Sequence, residues 1–256
     1  MVQIKRKAAL ITGAGKRIGR EIALDLARNG WAIGVHYFHS KGEADDVVTA
    51  VTRAGGRAVT LQCNLGREEN VRSLIAEATE KLGPLTCLIN NASIFEDDTV
   101  KTMTKFSWDM HMETNLHAPV VLSQEFARLL PDEERGCIIN MLDQRVLNLN
   151  PYFLSYTISK YALWSLTRVL AMALAPRIRV NGIGPGPTLK NVRQTDEHFK
   201  AQWESVLLNR GTTPAEICDA VRFILNAPAL TGQMIALDGG EHMGWAQPKR
   251  GVVPIE

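Results

Sequence analysis

Long apolar runs are missing from this chain of 256 residues. No stretch approaches the roughly 18 consecutive apolar residues of a membrane span, and the apolar part of "MVQIKRKAALITGAG" meets glycines too soon for a signal h-region. The expectation is a soluble, unsecreted, cytoplasmic protein without a membrane partner. An excess of one charge is missing too. Against 29 basic residues stand 27 acidic ones, a formal net charge of +2, so no broad field favours nucleic acid or an anionic surface. Cysteine is scarce: Cys63, Cys87, Cys137 and Cys218 lie far apart, without CxxC spacing or a His-rich segment. That argues against a disulfide framework and suggests no metal site. Chemistry on a small molecule is the class these absences leave.

What is present is alternation. Short runs rich in β-branched residues, "AALITG", "WAIGVHY", "AVTLQC", "LTCLINNA", "CIINML", "IRVNGIG" and "QMIALDGG", number seven. Between them lie segments of helical period, over about 17–29, 41–54, 67–81, 104–130 and 152–175, with two more in 196–226. Apolar strands alternating with helices predict an α/β chain whose parallel strands are covered on both faces. The expected architecture is a single-domain Rossmann-type doubly wound fold with a seven-stranded parallel sheet, spanning 1–256, with 244–256 as a C-terminal tail. The polar segment "GPGPTLKNVRQTDEH" (184–198) is a candidate lid.

The first strand runs into "TGAGKRIG", which places Gly13, Gly15 and Gly19 around Lys16, Arg17 and Ile18 before a helix. Glycines there let backbone N–H groups approach a pyrophosphate at a helix N-terminus. The second strand ends without the acid that commonly takes adenosine ribose hydroxyls; it offers His36, Tyr37, His39 and Ser40, and the first acid is Glu43. Lys16 and Arg17 can pair with a 2′-phosphate. A mere solvated helix start would set these cations against the macrodipole. NADPH is therefore the expected cofactor. "SYTISKYAL" then puts Tyr156 and Lys160 one helical turn apart, where an ammonium favours the phenolate of a tyrosine whose unperturbed pKa is near ~10.

With these residues in view, the chain resembles the short-chain dehydrogenase/reductase family over nearly its full length. The matching pieces are "TGAGKRIG", "NNAS" at 90–93, Asn115 in "ETNLHAP", "YTISK" at 156–160, "RVNGIGPGP" at 179–187 and "LDGG" at 237–240. The resemblance implies that Tyr156 is the acid/base, that Lys160 binds nicotinamide ribose, and that Asn115 supports a proton-relay water. It also implies adenine-side contacts at Asn64 and Leu65, ribose-side contacts at Asn91 and Ala92, and nicotinamide-side contacts at Pro185 and Gly186. Thr188 is a further candidate donor to phosphate or substrate. A homotetramer is implied in the same way.

Two departures separate the chain from the common family pattern. Arg17 replaces a glycine, and Asp143, thirteen residues before Tyr156, stands where most members have serine. Both are shared with the pteridine reductase branch, which this chain resembles more closely through "TGAGKRIG", "HYFHS", "NNASIF", the Asp143 to Tyr156 spacing and "GPG". That branch implies a pterin stacked on Phe95, contacts from Arg17 and Ser93, and a wall at Phe153. An ionised aspartate accepts from N–H groups and cannot donate to a carbonyl oxygen.

Bland readings stand beside these. Asp143 can be a solvated loop residue or a partner of Arg145, Phe95 can be core packing, and Asn115 can bond within a long helix. His36 and His39 can be surface residues, and His242 and Trp245 either close a neighbouring subunit's pocket or pack an interface. The expected function is NADPH-dependent pterin reduction with Asp143, Tyr156, Lys160 and Asn115 as catalytic residues. A carbonyl or 3-oxoacyl reductase, or a non-catalytic NADP-sensing protein, are the alternatives.

Overall fold

The computed structural model describes residues 7–244. Seven strands form one parallel sheet: β1 (Ala8–Ile11), β2 (Ala32–Tyr37), β3 (Ala58–Gln62), β4 (Cys87–Asn90), β5 (Gly136–Met141), β6 (Ile178–Pro185) and β7 (Met234–Leu237). Their order is β3-β2-β1-β4-β5-β6-β7. Every residue of β1, β4 and β5 is buried, as expected of central strands covered on both faces.

On one face, α1 (Arg17–Arg28), α2 (Lys41–Arg53) and α8 (Pro214–Asn226) cover the sheet with Ile22, Leu26, Val47, Ile217 and Ile224. On the other, α3 (Glu68–Leu82) and α5 (Ala118–Leu129) bury Leu74, Ile75, Leu122 and Phe126. The helix α6 (Leu154–Leu174) lies beside them, after β5. Among the described residues no helix is long and apolar enough to cross a membrane.

Local chemistry explains the boundaries. Thr213 and Glu216 form a reciprocal capping box at the start of α8, with Pro214 in its first turn. Thr104 and Ser107 do the same for α4 (Lys105–Met112). The single helix expected over 104–130 is refined: α4 and α5 are joined by a π-helical turn, Glu113–His117, that contains Asn115. Only part of the polar segment 184–198 is loop, since β6 runs through Pro185 and α7 (Asp196–Ser205) begins near its end.

The chain reverses its direction of travel across the sheet between β1 and β4, and the carboxyl ends of these strands open a crevice there. Gly13, Arg17, Ser93, Asp143, Tyr156 and Lys160 line the cleft that opens at this end of the sheet.

Candidate active site

The glycine turn is closed by the strand next to it. Thr12 Oγ1 accepts the backbone N–H groups of Asn91 and Ala92, both at 2.9 Å, and Asn91 Nδ2 donates back to Thr12 O at 2.8 Å. Gly13 adopts φ +64°, a region that favours glycine. A Cβ on Gly19 would lie 2.4 Å from Gly13 O and 2.5 Å from Asn91 Nδ2. Gly19→Ala is therefore expected to cost about 1–3 kcal/mol, the usual range for overpacking, and to weaken dinucleotide binding; melting with and without NADPH checks it.

These residues fit a dinucleotide phosphate. The N-cap of α1, Lys16, makes no side-chain cap bond, and the first turn holds no acid, so helix N–H groups face the cleft uncapped. Lys16 pairs with Glu43 at 2.5 Å in an exposed, exchangeable contact. Arg17, at φ +54°, crosses the cleft and donates to Lys190 O at 2.8 Å and Leu189 O at 3.0 Å. It ties the glycine turn to the polar loop.

A direct cofactor contact by His36 is corrected by the structure. Its ring is buried: Nδ1 accepts from Gly13 N–H at 3.0 Å and Nε2 faces Cys63 O at 3.1 Å. A backbone donor at Nδ1 places the proton on Nε2. Burial pushes the imidazole down to about 4, so the unfolded chain takes up this proton first. The stability tied to neutral His36 is intact above pH 6.5 and lost progressively as the pH falls towards 4, on the order of 3 kcal/mol in all. In His36→Phe this part of the acid dependence should disappear from denaturation curves.

Tyr37 and Leu65 are also buried, outside the cleft lining. His39 is exposed against Phe38, with ring centroids 3.7 Å apart. Ser40 lies beside Gly15, and Asn64 Oδ1 accepts from Gly66 N–H at 2.9 Å.

Deeper in the cleft, Tyr156 Oη donates to Asp143 Oδ2 at 2.7 Å. Asp143 Oδ1 accepts from the backbone of Arg145 at 2.8 Å, which caps the short 3₁₀ turn Gln144–Val146, and lies 3.6 Å from Arg145 Nε. One carboxylate oxygen of Asp143 thus holds the loop and the other meets the tyrosine. Lys160 is buried, and its Nζ donates to Met141 O at 2.8 Å. Desolvation lowers its pKa to about 8, against the opposing pull of the Asp143 charge. Asn115 does not line the cleft. Its Oδ1 accepts from Ile94 N–H at 2.8 Å, and its Nδ2 donates to Ile94 O at 2.9 Å and Ser159 Oγ at 3.1 Å. It joins the π turn to the loop after β4, where Ser93 Oγ also reaches it at 3.3 Å.

The aromatic wall is a pair. Phe95 and Phe153 stack at 4.4 Å with 19° between planes, and Tyr156 meets Phe95 edge-on at 4.6 Å. Phe153 is buried behind Phe95 and does not line the cleft itself. Thr188 spends its hydroxyl on Gly186 O at 2.9 Å. A Cβ on Gly186 would come within 2.7 Å of Asp238, so this segment needs glycine. A cleft of about 450 Å³ brings Gly13, Arg17, Ser93, Phe95, Asp143, Tyr156 and Lys160 onto one surface.

Sequence reasoning names Arg145 only as a partner of Asp143, and it misses Arg193. Arg145, with a side chain only 4% exposed, lies 5.4–5.7 Å from the rings of Phe95, Phe153 and Tyr156. Arg193, on the polar loop, lies 4.9 Å from Phe95 and donates to its carbonyl at 3.0 Å. No local pattern marks an arginine for burial against aromatics. His242 binds Asp238 Oδ2 through Nδ1 at 2.6 Å; Trp245 and the tail beyond Gly244 lie outside the described residues.

A family model described as enoyl-(acyl carrier protein) reductase matches residues 13–242. The chain belongs to the short-chain dehydrogenase/reductase family. Within it, the chain is 42% identical to the FolM alternative dihydrofolate reductase 1 of Brucella suis, solved in complex with NADP. That match has a TM-score of 0.93 and covers 96% of this chain and 99% of that one. The pteridine reductase-like branch fits these neighbours. The chain is also 31% identical to the 3-oxoacyl-[acyl-carrier-protein] reductase FabG of Staphylococcus epidermidis, over 93% of this chain and 99% of the relative. A blue fluorescent protein from a metagenomic library, solved with NADPH, is 30% identical, with a TM-score of 0.85 over 91% of this chain and 97% of that one.

Proposed function

We propose that this oxidoreductase is an NADPH-dependent reductase of pterins, acting on a C=N bond of dihydropterin or dihydrofolate type. The observation that carries the reading is the 2.7 Å hydrogen bond from Tyr156 Oη to the carboxylate of Asp143. Bound NADPH supplies the hydride from its nicotinamide C4. The chain's own residues do the rest. The Gly13 to Gly19 turn and the start of α1 would hold the pyrophosphate, and Lys16 with Arg17 would meet the 2′-phosphate. His39, Ser40 and Asn64 border the adenine end, and Asn91, Ala92 and Ser93 the ribose. Pro185, Gly186 and Thr188 flank the nicotinamide. Lys160 would hold the ribose and provides a buried positive charge beside Tyr156, and Asn115 fixes the floor through Ile94.

Asp143 is what selects the substrate. A carboxylate accepts from ring N–H and amino groups, which a pterin presents and a simple ketone lacks. In the free site its Oδ2 accepts the Tyr156 hydrogen bond, and Tyr156 is the group that gives its proton to the ring nitrogen as the hydride arrives at the C=N carbon. Phe95 supplies the face on which a flat heteroaromatic lies. The NADP-bound Brucella neighbours, named as alternative dihydrofolate reductases, support the reading.

A carbonyl or 3-oxoacyl reductase is the second reading, favoured by the FabG relatives. A substrate panel separates the two. NADPH oxidation by dihydrobiopterin or dihydrofolate is expected, and turnover of ketones or 3-oxoacyl thioesters alone would sink the pterin assignment. Ile158, Tyr161, Val169 and Met172 form an exposed apolar stripe along α6, which supports a homotetramer; light scattering should return four times the monomer mass.

A further inference from the structure

Behind Tyr156 lies a buried polar chain that the proposed chemistry does not use. Asp98, 2% exposed, stands on the same loop as Phe95. Its Oδ1 accepts from the backbone N–H of Ser155 at 2.9 Å. Its Oδ2 accepts from Ser155 Oγ at 2.5 Å and Ser107 Oγ at 2.9 Å. Its carbonyl oxygen accepts from Leu154 N–H at 2.9 Å. Leu154 and Ser155 are the first two residues of α6, and the residue before them, Phe153, offers no side-chain cap. The helix that carries Tyr156 and Lys160 is therefore capped from a distant loop.

His111, fully buried, extends the chain. Its Nε2 accepts from Glu96 N–H at 3.1 Å, so Nδ1 is the protonated nitrogen and donates to Ser155 Oγ at 2.6 Å. The direction is then set throughout: Glu96 amide to imidazole, imidazole to hydroxyl, hydroxyl to carboxylate. No cation faces Asp98 in these contacts. Burial pushes its carboxyl up, and the bonds from Ser155 and Ser107, with a smaller pull from the nearby His111, more than offset this, leaving it below the ordinary value. The N-terminus of α6 favours the same charge.

We propose that Asp98, Ser155 and His111 are positioning residues that register two parts of the site against each other. The Asp98 cap sets where α6 presents Tyr156, the residue after Ser155. The His111 bond sets the loop at Glu96, the residue after Phe95. Between them they hold the phenol and the aromatic wall at their 4.6 Å edge contact. The inference rests on reading Tyr156 as the proton donor and Phe95 as the substrate wall, and it is independent of which substrate is reduced.

The two halves separate by substitution. In His111→Asn, Nδ2 takes the place of Nδ1 and keeps the Ser155 bond, while the acceptor for Glu96 is lost. Substrate KM is expected to rise about tenfold, the effect of losing one hydrogen bond that holds the loop, with kcat within about twofold. Ser155→Ala removes the hydroxyl link and spares the Glu96 bond. There kcat should fall about tenfold on the same grounds, and KM should hold within about twofold. NADPH affinity, measured by fluorescence quenching, should be unchanged in both.

Equal changes of KM and kcat in the two variants, or a lowered melting temperature with wild-type kinetics, would reduce the chain to general structural support and overturn the proposal. If the wild type reduces ketones but no pterin, the functional reading fails and the same split is read on the ketone. Amide hydrogen exchange does not depend on turnover. His111→Asn should speed exchange at Glu96 and leave Ser155 protected, and unchanged protection at Glu96 would remove His111 from the proposal.

Discussion

Replacing Asp143 with serine is expected to lower pterin turnover about 100-fold, because a charge-assisted hydrogen bond contributes about 1.5–3 kcal/mol. NADPH affinity should stay within about twofold, since Asp143 is assigned to the substrate and not to the cofactor. Serine is itself a good cap, so the bond to the Arg145 amide that starts the 3₁₀ turn survives. Some stability is lost, because the buried Arg145 side chain no longer has a carboxylate 3.6 Å away. Serine also restores a hydroxyl donor beside Tyr156, so ketone reduction should appear or increase. The measurement is the ratio of kcat/KM for dihydrobiopterin to that for a ketone. Should Asp143→Ser turn over pterins as well as the wild type, Asp143 plays no part in substrate choice.

Lys160→Met should abolish most turnover, about 10²–10⁴-fold, the usual range for losing proton-transfer assistance, without unfolding the protein. Desolvation holds Lys160 near 8 in the fold against 10.5 in the free chain. Below pH 8 the folded state therefore carries a cost on the order of 3 kcal/mol, which fades as the pH rises from 8 to 10.5. Methionine removes that cost and the bond to Met141 O together, so the melting temperature at pH 7 should hold or rise while activity collapses. In the wild type, turnover should decline as the pH is raised through about 8 and the amine loses its charge. Asp143 raises the Lys160 pKa, so Asp143→Asn should move this decline to lower pH. A variant that loses activity and stability in parallel would contradict the electrostatic account.

The fold was legible because its signals are local and repeated. Seven apolar runs matched seven strands, and the glycine turn, the helix with Tyr156 and Lys160, and the Asp143 offset all lie within short spans of chain. The π turn at Glu113–His117 was not legible, because a single added residue per turn leaves the apolar period of α4 and α5 nearly intact. His36 was misread for a different reason. A polar residue at a strand end looks like a ligand contact until the fold shows the Gly13 amide already waiting for its ring. Phe153 was expected to wall the substrate, and it supports Phe95 from behind instead.

By itself the sequence determined the parallel sheet, the place of the dinucleotide turn and the Tyr156–Lys160 pair, since each follows from hydrophobic period or from residues within one helical turn. Only the tertiary structure decided what each polar group is paired with. Asp143 divides its two oxygens between Arg145 and Tyr156, and Asp98 caps a helix 57 residues further along the chain. Arg17 reaches a loop 173 residues away. A buried donor or acceptor must find a partner, and which partner it finds depends on how strands distant in sequence are brought side by side.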